Sequence, residues 1–182
     1  MGTKEQALIV VPLIIGVLCG IFGVLGYFIG SALGIPSRLC LPLPLRASGA
    51  IVLALGFVFM GWLLKYRKPT DILTSTYVTI RKSIREAPAE ESPSRTEPLV
   101  VKGPHRHVRH PLYFAVMVLL LGWWLVLDYT FLPFMALLFL LWFNFVVIRF
   151  EEQELRVLFG GQYEAYAKAV PRILPSFKRR WR

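Results

Sequence analysis

Acidic side chains are scarce in this sequence: 11 Asp and Glu stand against 21 Lys and Arg, a formal net charge of +10 at pH 7. Such a surplus attracts nucleic acid or anionic lipid. No RNA- or DNA-binding motif accompanies it and the basic residues flank apolar stretches, so nucleic acid is set aside and anionic headgroups are the expected partner. Cysteine is nearly absent too. Cys19 lies in an apolar run and Cys40 in a proline-containing loop, too few and too unlike in setting for a disulfide framework or a thiolate metal site. The opening Met-Gly-Thr-Lys-Glu-Gln lacks the hydroxyl residue that myristoylation wants at position six. The apolar run after it exceeds a signal-peptide core and reads as a mature membrane helix. No G-x-G-x-x-G turn is present, which removes the commonest soluble nucleotide-binding fold.

What the chain does have is apolar length. It is 55% hydrophobic and 14% aromatic, with a mean hydropathy of +0.56, values that fit an integral membrane protein. Apolar segments run from Ala7 to Ile35, Ala47 to Leu64, Pro111 to Leu127 and Phe131 to Ile148, each near the length that crosses a hydrocarbon core of about 30 Å. The expected fold is therefore all-α, with about four transmembrane helices and a C-terminal cytoplasmic helical extension that ends at Gly160-Gly161. The organisation expected is a transmembrane hairpin over 1–66, a basic, amphipathic loop and connector over 67–98, and a functional region with its own hairpin over 99–182. Lys65 to Arg109 holds ten of the 21 basic residues, the tail from Arg149 holds eight, and Asp128-Tyr129-Thr130 holds none. By the positive-inside rule both termini and the central loop face the cytoplasm. Within that loop, Asp71 to Arg85 reads as a basic amphipathic stretch and Glu86 to Pro98 as a flexible connector. In the first segment the small-residue pairs Gly16/Gly20, Gly26/Gly30 and Gly30/Gly34 favour close helix packing and leave self-association open.

Charge returns in two clusters joined by the second hairpin. Arg109-His110-Pro111-Leu112-Tyr113 runs into a helix for which Pro111 suits the first turn. Arg109, His110 and the positive end of the helix dipole then form a site for a carboxylate or phosphate; snorkelling of Arg109 to headgroups is the alternative. On the partner helix Asn144, Ile148, Glu151 and Leu155 recur at helical spacing, so Asn144 and Glu151 are expected on one face, with Glu152 and Glu154 solvated. His105, His107 and His110 lack a nearby acidic ligand and sit among Lys102, Arg106 and Arg109, a field that repels a divalent ion, so no metal is expected.

The order Pro98-Leu99-Val100-Val101-Lys102-Gly103, Arg109-His110-Pro111-Leu112-Tyr113, Glu151-Glu152, Phe159-Gly160, Tyr163, Tyr166, Val170-Pro171-Arg172 and Pro175 resembles the C-terminal half of the isoprenylcysteine carboxyl methyltransferase family and its bacterial phospholipid N-methyltransferase-like relatives. The resemblance implies a membrane-embedded S-adenosylmethionine-dependent methyltransferase acting on a lipophilic substrate, either a prenylcysteine-like carboxylate or a lipid headgroup. It sets the cofactor against Glu97, Pro98, Leu99, Val100, His105, His110, Pro111, Leu112, Tyr113 and Glu151. Arg109, His110 and Glu151 are the implied catalytic set. His105 replaces the family's usual Tyr, and Val147 stands where the family has a substrate-side Arg, which leaves Arg149 and Asn144 as the substrate-binding candidates. Two other functions fit the same residues: a non-catalytic module that binds anionic lipid through Lys65 to Arg109 and Lys178 to Arg182, and a lipid or sterol double-bond reductase on a related fold.

Overall fold

The computed structural model describes residues 3–85 and 99–176. The connector Glu86 to Pro98, including Glu97 and Pro98, and the basic tail from Lys178 lie outside the described residues. Within them the chain forms α1 (Thr3–Ala32), α2 (Leu43–Tyr66), α3 (Pro69–Arg85), a 3-10 turn (Gly103–Arg106), α4 (Pro111–Leu127), α5 (Phe131–Trp142), a π-helical turn (Phe143–Val147) and α6 (Ile148–Ala169). No strand occurs among the described residues, and Arg38 and Tyr129 share an isolated antiparallel bridge.

Lys4–Ala32, Leu43–Tyr66 and the continuous Phe131–Ala169 stretch are long and apolar enough to cross a membrane, and Pro111–Leu127 is a shorter apolar helix. The 17 residues of α4 reach about 25 Å, the short limit of a span. The Phe131–Ala169 stretch is much longer than a bilayer requires. Its apolar part runs to Ile148, and Arg149, Glu151, Glu152 and Glu154 mark where the helix continues beyond the hydrocarbon. The protein is an all-α integral membrane protein. Gly160 does not end α6 as expected; with φ 47° and ψ −127° it breaks the helix, which then resumes to Ala169. Glycine adopts that backbone without the Cβ clash any other residue would meet.

The chain divides into two compact units, each built from segments distant in sequence. One comprises Leu13–Gly61 and Leu112–Phe143. Its helices meet where side chains are missing: a Cβ on Gly26 would lie 2.7 Å from the Phe131 carbonyl oxygen, one on Gly49 would lie 2.9 Å from the Val126 nitrogen, and one on Gly122 would lie 2.9 Å from the Leu53 nitrogen. Of the small-residue pairs in α1, Gly26/Gly30 packs on α5, whereas Gly16 and Gly20 meet nothing within 4 Å. Aromatic rings fill the space between, with Phe22 edge-on to Phe139 at 4.8 Å and Tyr113 stacked on Phe143 at 4.5 Å. At the Asp128-Tyr129-Thr130 turn, Asp128 Oδ2 accepts the Leu41 N–H at 3.0 Å and Arg38 lies over the Tyr129 ring. Large apolar side chains such as Leu13, Phe28, Ile51, Leu55 and Val58 stand exposed, a surface suited to lipid and not to water.

The other unit comprises Met1–Pro12, Trp62–Pro111 and Asn144–Arg182. Its core is Tyr163, Tyr166 and Val170, packed by Leu99, Val101, Leu155 and Phe159. α3 contributes through Ile72, which is buried, and through Tyr77, whose hydroxyl donates to Gln6 Oε1 at 3.1 Å.

The glycine contacts generate a paired expectation for stability. Gly26→Val forces a side chain against the α5 backbone and should destabilise the folded state by about 1–3 kcal/mol. Gly16→Val meets open space and should leave the thermal midpoint of the detergent-purified protein unchanged. Equal midpoints for both variants, followed by tryptophan fluorescence, would contradict the packing described.

Candidate functional site

A glycine seats the first piece of the site. Gly103 has φ +61°, and a Cβ there would lie 2.5 Å from the Tyr66 ring, so only glycine allows the Gly103–Arg106 turn to close on the end of α2. The turn buries His105, and its carbonyl accepts a 2.7 Å hydrogen bond from the Tyr166 hydroxyl. The chain from His107 to His110 then runs beside the segment after α6. Arg109 N–H donates to Pro171 O at 2.9 Å, His110 N–H to Arg172 O at 3.1 Å, and Ser176 N–H to His107 O at 2.9 Å. These bonds bring Arg109, His110 and Arg172 together before any side-chain contact is considered.

Their side chains converge on Glu152. Arg109 Nη1 donates to Oε1 at 2.7 Å; Arg172 grips both oxygens, Nη2 to Oε2 at 2.7 Å and Nε to Oε1 at 3.1 Å. His110 Nε2 lies 3.4 Å from Oε1, and its other ring nitrogen, Nδ1, lies 3.2 Å from Glu151 Oε2. Arg172 Nη1 also donates to Asn144 Oδ1 at 3.2 Å. Glu152 is therefore not solvated as its position suggests: it is 3% exposed and Glu154 is buried as well. Arg109, His110 and Arg172 close over Glu152, on a helix entered through the π-helical turn Phe143–Val147. A π turn takes up an extra residue, rotating everything after it relative to an uninterrupted α-helix. Asn144 shares its partner Arg172 with Glu152.

The electrostatics follow from this geometry. Burial raises the Glu152 carboxyl, but hydrogen bonds from His110 and Arg172 and the charges of Arg109 and Arg172 more than offset it and hold the pKa down at about 2. Burial pulls His110 the other way, and the hydrogen bonds and charges of Glu151 and Glu152 bring its net shift above the ordinary value. His105 is lowered to about 4, by burial first and then by the Arg67 charge. The two histidines of the site are thus shifted in opposite directions, His110 towards the charged form and His105 towards the neutral one.

Between them lies a cavity of about 70 Å³ that opens to solvent, walled by Arg67, Leu99, Val100, His105, Arg109, His110 and Glu151, with Leu155, Phe159, Tyr163 and Tyr166 from α6. The enclosed part has room for about two waters at ~30 Å³ each. Buried Arg109 Nε and His105 Nε2 find no hydrogen-bond partner among the described residues, and the Tyr163 hydroxyl lies beside the Arg109 guanidinium without a well-formed hydrogen bond to it. Buried polar atoms left over in one wall are what a missing ligand would satisfy.

Of the residues singled out from sequence, Leu99, Val100, His105, Arg109, His110 and Glu151 meet at this cavity. Pro111 opens α4 in the same unit; Leu112 and Tyr113 follow in the other. Asn144 is engaged by Arg172, and Arg149 is exposed and not part of the wall. Sequence reasoning passed over Arg67, Leu155 and Phe159 as wall residues, and Glu152 and Arg172 as the clamp. Arg172 and Phe159 lay inside the quoted motif string. Arg67, one basic residue among many after α2, carried no signal. Among the described residues no group of His, Cys, Asp and Glu is arranged to hold a metal ion.

Comparison with known proteins gives the geometry a context. The family model described as phospholipid methyltransferase matches residues 46–162. A methanethiol S-methyltransferase of Crocosphaera subtropica is 35% identical over 86 residues, which cover 43% of this chain and 30% of that relative. The match thus takes in under a third of that relative's length. No solved structure matches.

The clamp yields two expectations. Glu152→Gln leaves Arg109 and Arg172 without a counter-charge and should cost about 3 kcal/mol, the lower end for a broken buried pair, because the Arg172 side chain is 39% exposed and keeps part of its hydration. The second concerns pH. His110, raised above its ordinary 6.5, contributes stability that is complete below that value and lost as pH rises through its folded pKa. Glu152, held at about 2 against an ordinary 4.5, contributes above 4.5 and loses its contribution as pH falls toward 2. Thermal midpoints should therefore peak between about pH 4.5 and 6.5 and decline on the alkaline side. His110→Asn should flatten that alkaline decline; an unchanged slope would remove His110 from the coupling.

Proposed function

Because the chain belongs to the phospholipid methyltransferase family, we propose that it is a membrane methyltransferase that uses S-adenosylmethionine to methylate a lipophilic acceptor drawn from the bilayer. The observation that carries this reading is the wall of the cavity, where a carboxylate, a guanidinium and aromatic rings meet around buried polar atoms that lack partners. Those residues fit such a cofactor chemically. Glu151 would take a cationic ammonium or ribose hydroxyls, the Arg109 guanidinium would attract an anionic group, and Leu99, Val100, Phe159, Tyr163 and Tyr166 would offer apolar and ring faces to a base.

The cofactor supplies an activated methyl group on a sulfonium. The chain's own contribution is position and dryness: in-line displacement needs donor and acceptor aligned and water kept out. His110 fixes Glu151 through Nδ1 at 3.2 Å while its own far side rests on Glu152, so the cavity's carboxylate is oriented by a ring that is itself anchored. We place the cavity on the cytoplasmic side with both termini, from the distribution of Lys and Arg, and the basic flanks against anionic lipid. Gly16 and Gly20, where an added Cβ would meet nothing within 4 Å among the described residues, leave a face for association with a second copy. The family's name favours a phospholipid acceptor and the Crocosphaera relative's name favours a thiol.

Calorimetry with S-adenosylmethionine on protein in lipid nanodiscs tests the reading. Glu151→Gln should weaken binding roughly tenfold to a hundredfold, the loss of a hydrogen bond to a charged group. Glu164→Gln makes the same change at an exposed position of α6 and should bind as the wild type does. Absence of saturable binding by the wild type would overturn the assignment.

A further inference from the structure

The unit comprising Leu13–Gly61 and Leu112–Phe143 holds a second cavity, which the reading above does not use. It measures about 440 Å³, and its wall includes Gly26, Tyr27, Gly30 and Ser31 of α1, Ser37 of the loop that follows, and Tyr129 and Phe131 where α5 begins. At ~30 Å³ per water that is room for about fifteen waters, within the ~300–1,000 Å³ of ordinary ligand sites. The frame around it is tied by main-chain and hydroxyl bonds. Thr130 N–H donates to Ser37 O at 3.0 Å, the Thr130 hydroxyl donates to Pro36 O, and Arg38 forms the antiparallel bridge with Tyr129. The close approach of α1 to α5 at Gly26, where a Cβ would lie 2.7 Å from the Phe131 carbonyl oxygen, fixes the other end.

The surroundings of this cavity are amphipathic. From Gly26 to Ser31 the helix rises about 8 Å, from a stretch of wall with no polar side chain at Gly26 and Gly30 to the hydroxyls of Ser31 and Ser37 at the helix end. Arg38 stands beside the wall without being part of it: its guanidinium lies 4.4 Å from the centroid of the Tyr129 ring and donates to the Tyr129 hydroxyl. Asp128, the acid of the same turn, accepts the Leu41 N–H at 3.0 Å and acts on Arg38 only through space. Arg38 is exposed, and its fork of five N–H donors has capacity beyond the one bond to Tyr129. On the same stretch of α1, Tyr27, Phe28 and Leu33 are 56%, 63% and 63% exposed, a surface that a bilayer covers. The end of such a helix lies at headgroup depth, where tyrosine and arginine are the usual anchors.

We propose that this cavity binds an anionic phospholipid, its phosphate held by Arg38 and the Tyr129 hydroxyl and one acyl chain lying against Gly26, Gly30 and Phe131. The site is separate from the cofactor cavity and does not depend on the methyltransferase reading. A cavity with an apolar end that opens beside lipid is filled more favourably by a hydrocarbon chain than by water. Phosphate suits the guanidinium because two oxygens can meet two parallel N–H donors, and the Tyr129 hydroxyl, which accepts from Arg38, retains its own proton to donate. A headgroup of net negative charge is preferred over a zwitterionic one, since the ammonium of the latter would bring a second cation beside Arg38. Asp128 is 5% exposed and is not presented to receive that ammonium.

The test uses the full chain in phosphatidylcholine nanodiscs doped with phosphatidylglycerol that carries a photoreactive diazirine on one acyl chain, and in parallel with the same label on phosphatidylcholine. After irradiation, peptides covering 26–37 and 129–134 should carry about tenfold more label from phosphatidylglycerol than from phosphatidylcholine. Arg38→Gln should erase that preference, the loss of about tenfold to a hundredfold in affinity expected when a hydrogen bond to a charged group is removed. Arg46→Gln removes an equal charge close by in sequence, from a guanidinium that donates to Val126 O, and should keep the preference. Ser31→Phe, at an exposed position of the wall, should block the cavity and abolish labelling of these peptides by both lipids, while its circular dichroism matches the wild type's. Equal labelling by the two lipids, label spread evenly over the lipid-facing helices, or an Arg38→Gln variant that keeps the preference would each overturn the proposal. Displacement of the labelled lipid by soluble glycerol phosphate would overturn it too, since the phosphate alone would then suffice and the chain would contribute nothing.

Discussion

A buried carboxylate is the point on which the site turns. Glu152 gathers Arg109, Arg172 and His110 from two separate stretches of chain, and none of these cations would be tolerated so close together without it. Each partner does further work: Arg109 and His110 continue into the cavity wall, Arg172 ties down Asn144, and His110 passes the constraint to Glu151. The carboxylate at the cavity is thus held by a second carboxylate behind it. Oriented charge of this kind has its value in being fixed before a ligand arrives, because reorganisation during reaction is what preorganised groups avoid.

The architecture was largely legible in the sequence because membranes impose a coarse rule. Apolar stretches of sufficient length between basic flanks specify spans, and α1, α2 and α4 begin and end within a few residues of the apolar runs that announced them. The glycines were legible as packing positions, though only contact geometry separates Gly26, which meets the α5 backbone, from Gly16, which meets nothing. The meeting of Arg109, His110 and Glu151 at one cavity was also readable, from helical hairpin length and charge placement.

The clamp was not. Glu152 looks like one acidic residue in a polar helix exit, and an α-helical wheel assigns it to the outside. Its burial comes from Arg109, His110 and Arg172 closing on it, neighbours that sequence distance separates, and the π turn Phe143–Val147 before it is announced by no residue in Phe-Asn-Phe-Val-Val. Gly160 was misread for a related reason. A glycine near the end of an apolar pattern signals a stop, but the tyrosines after it, Tyr163 and Tyr166, have a core to enter, and burial of two aromatic rings outweighs the helix break. His105 shows the limit of composition from another side. Its neutrality comes from burial and the Arg67 guanidinium, neighbours that sequence distance conceals.

The π turn makes the site depend on chain length as well as on residue identity. Removing any one residue between Phe143 and Val147 would let the backbone relax into continuous α-helix, and every side chain beyond it would swing by about 100° around the axis. Glu152 and Arg172 both lie beyond the turn and would shift together relative to Arg109 and His110, although no charged residue had been touched. Substitutions within this stretch are therefore more readily absorbed than a single-codon deletion.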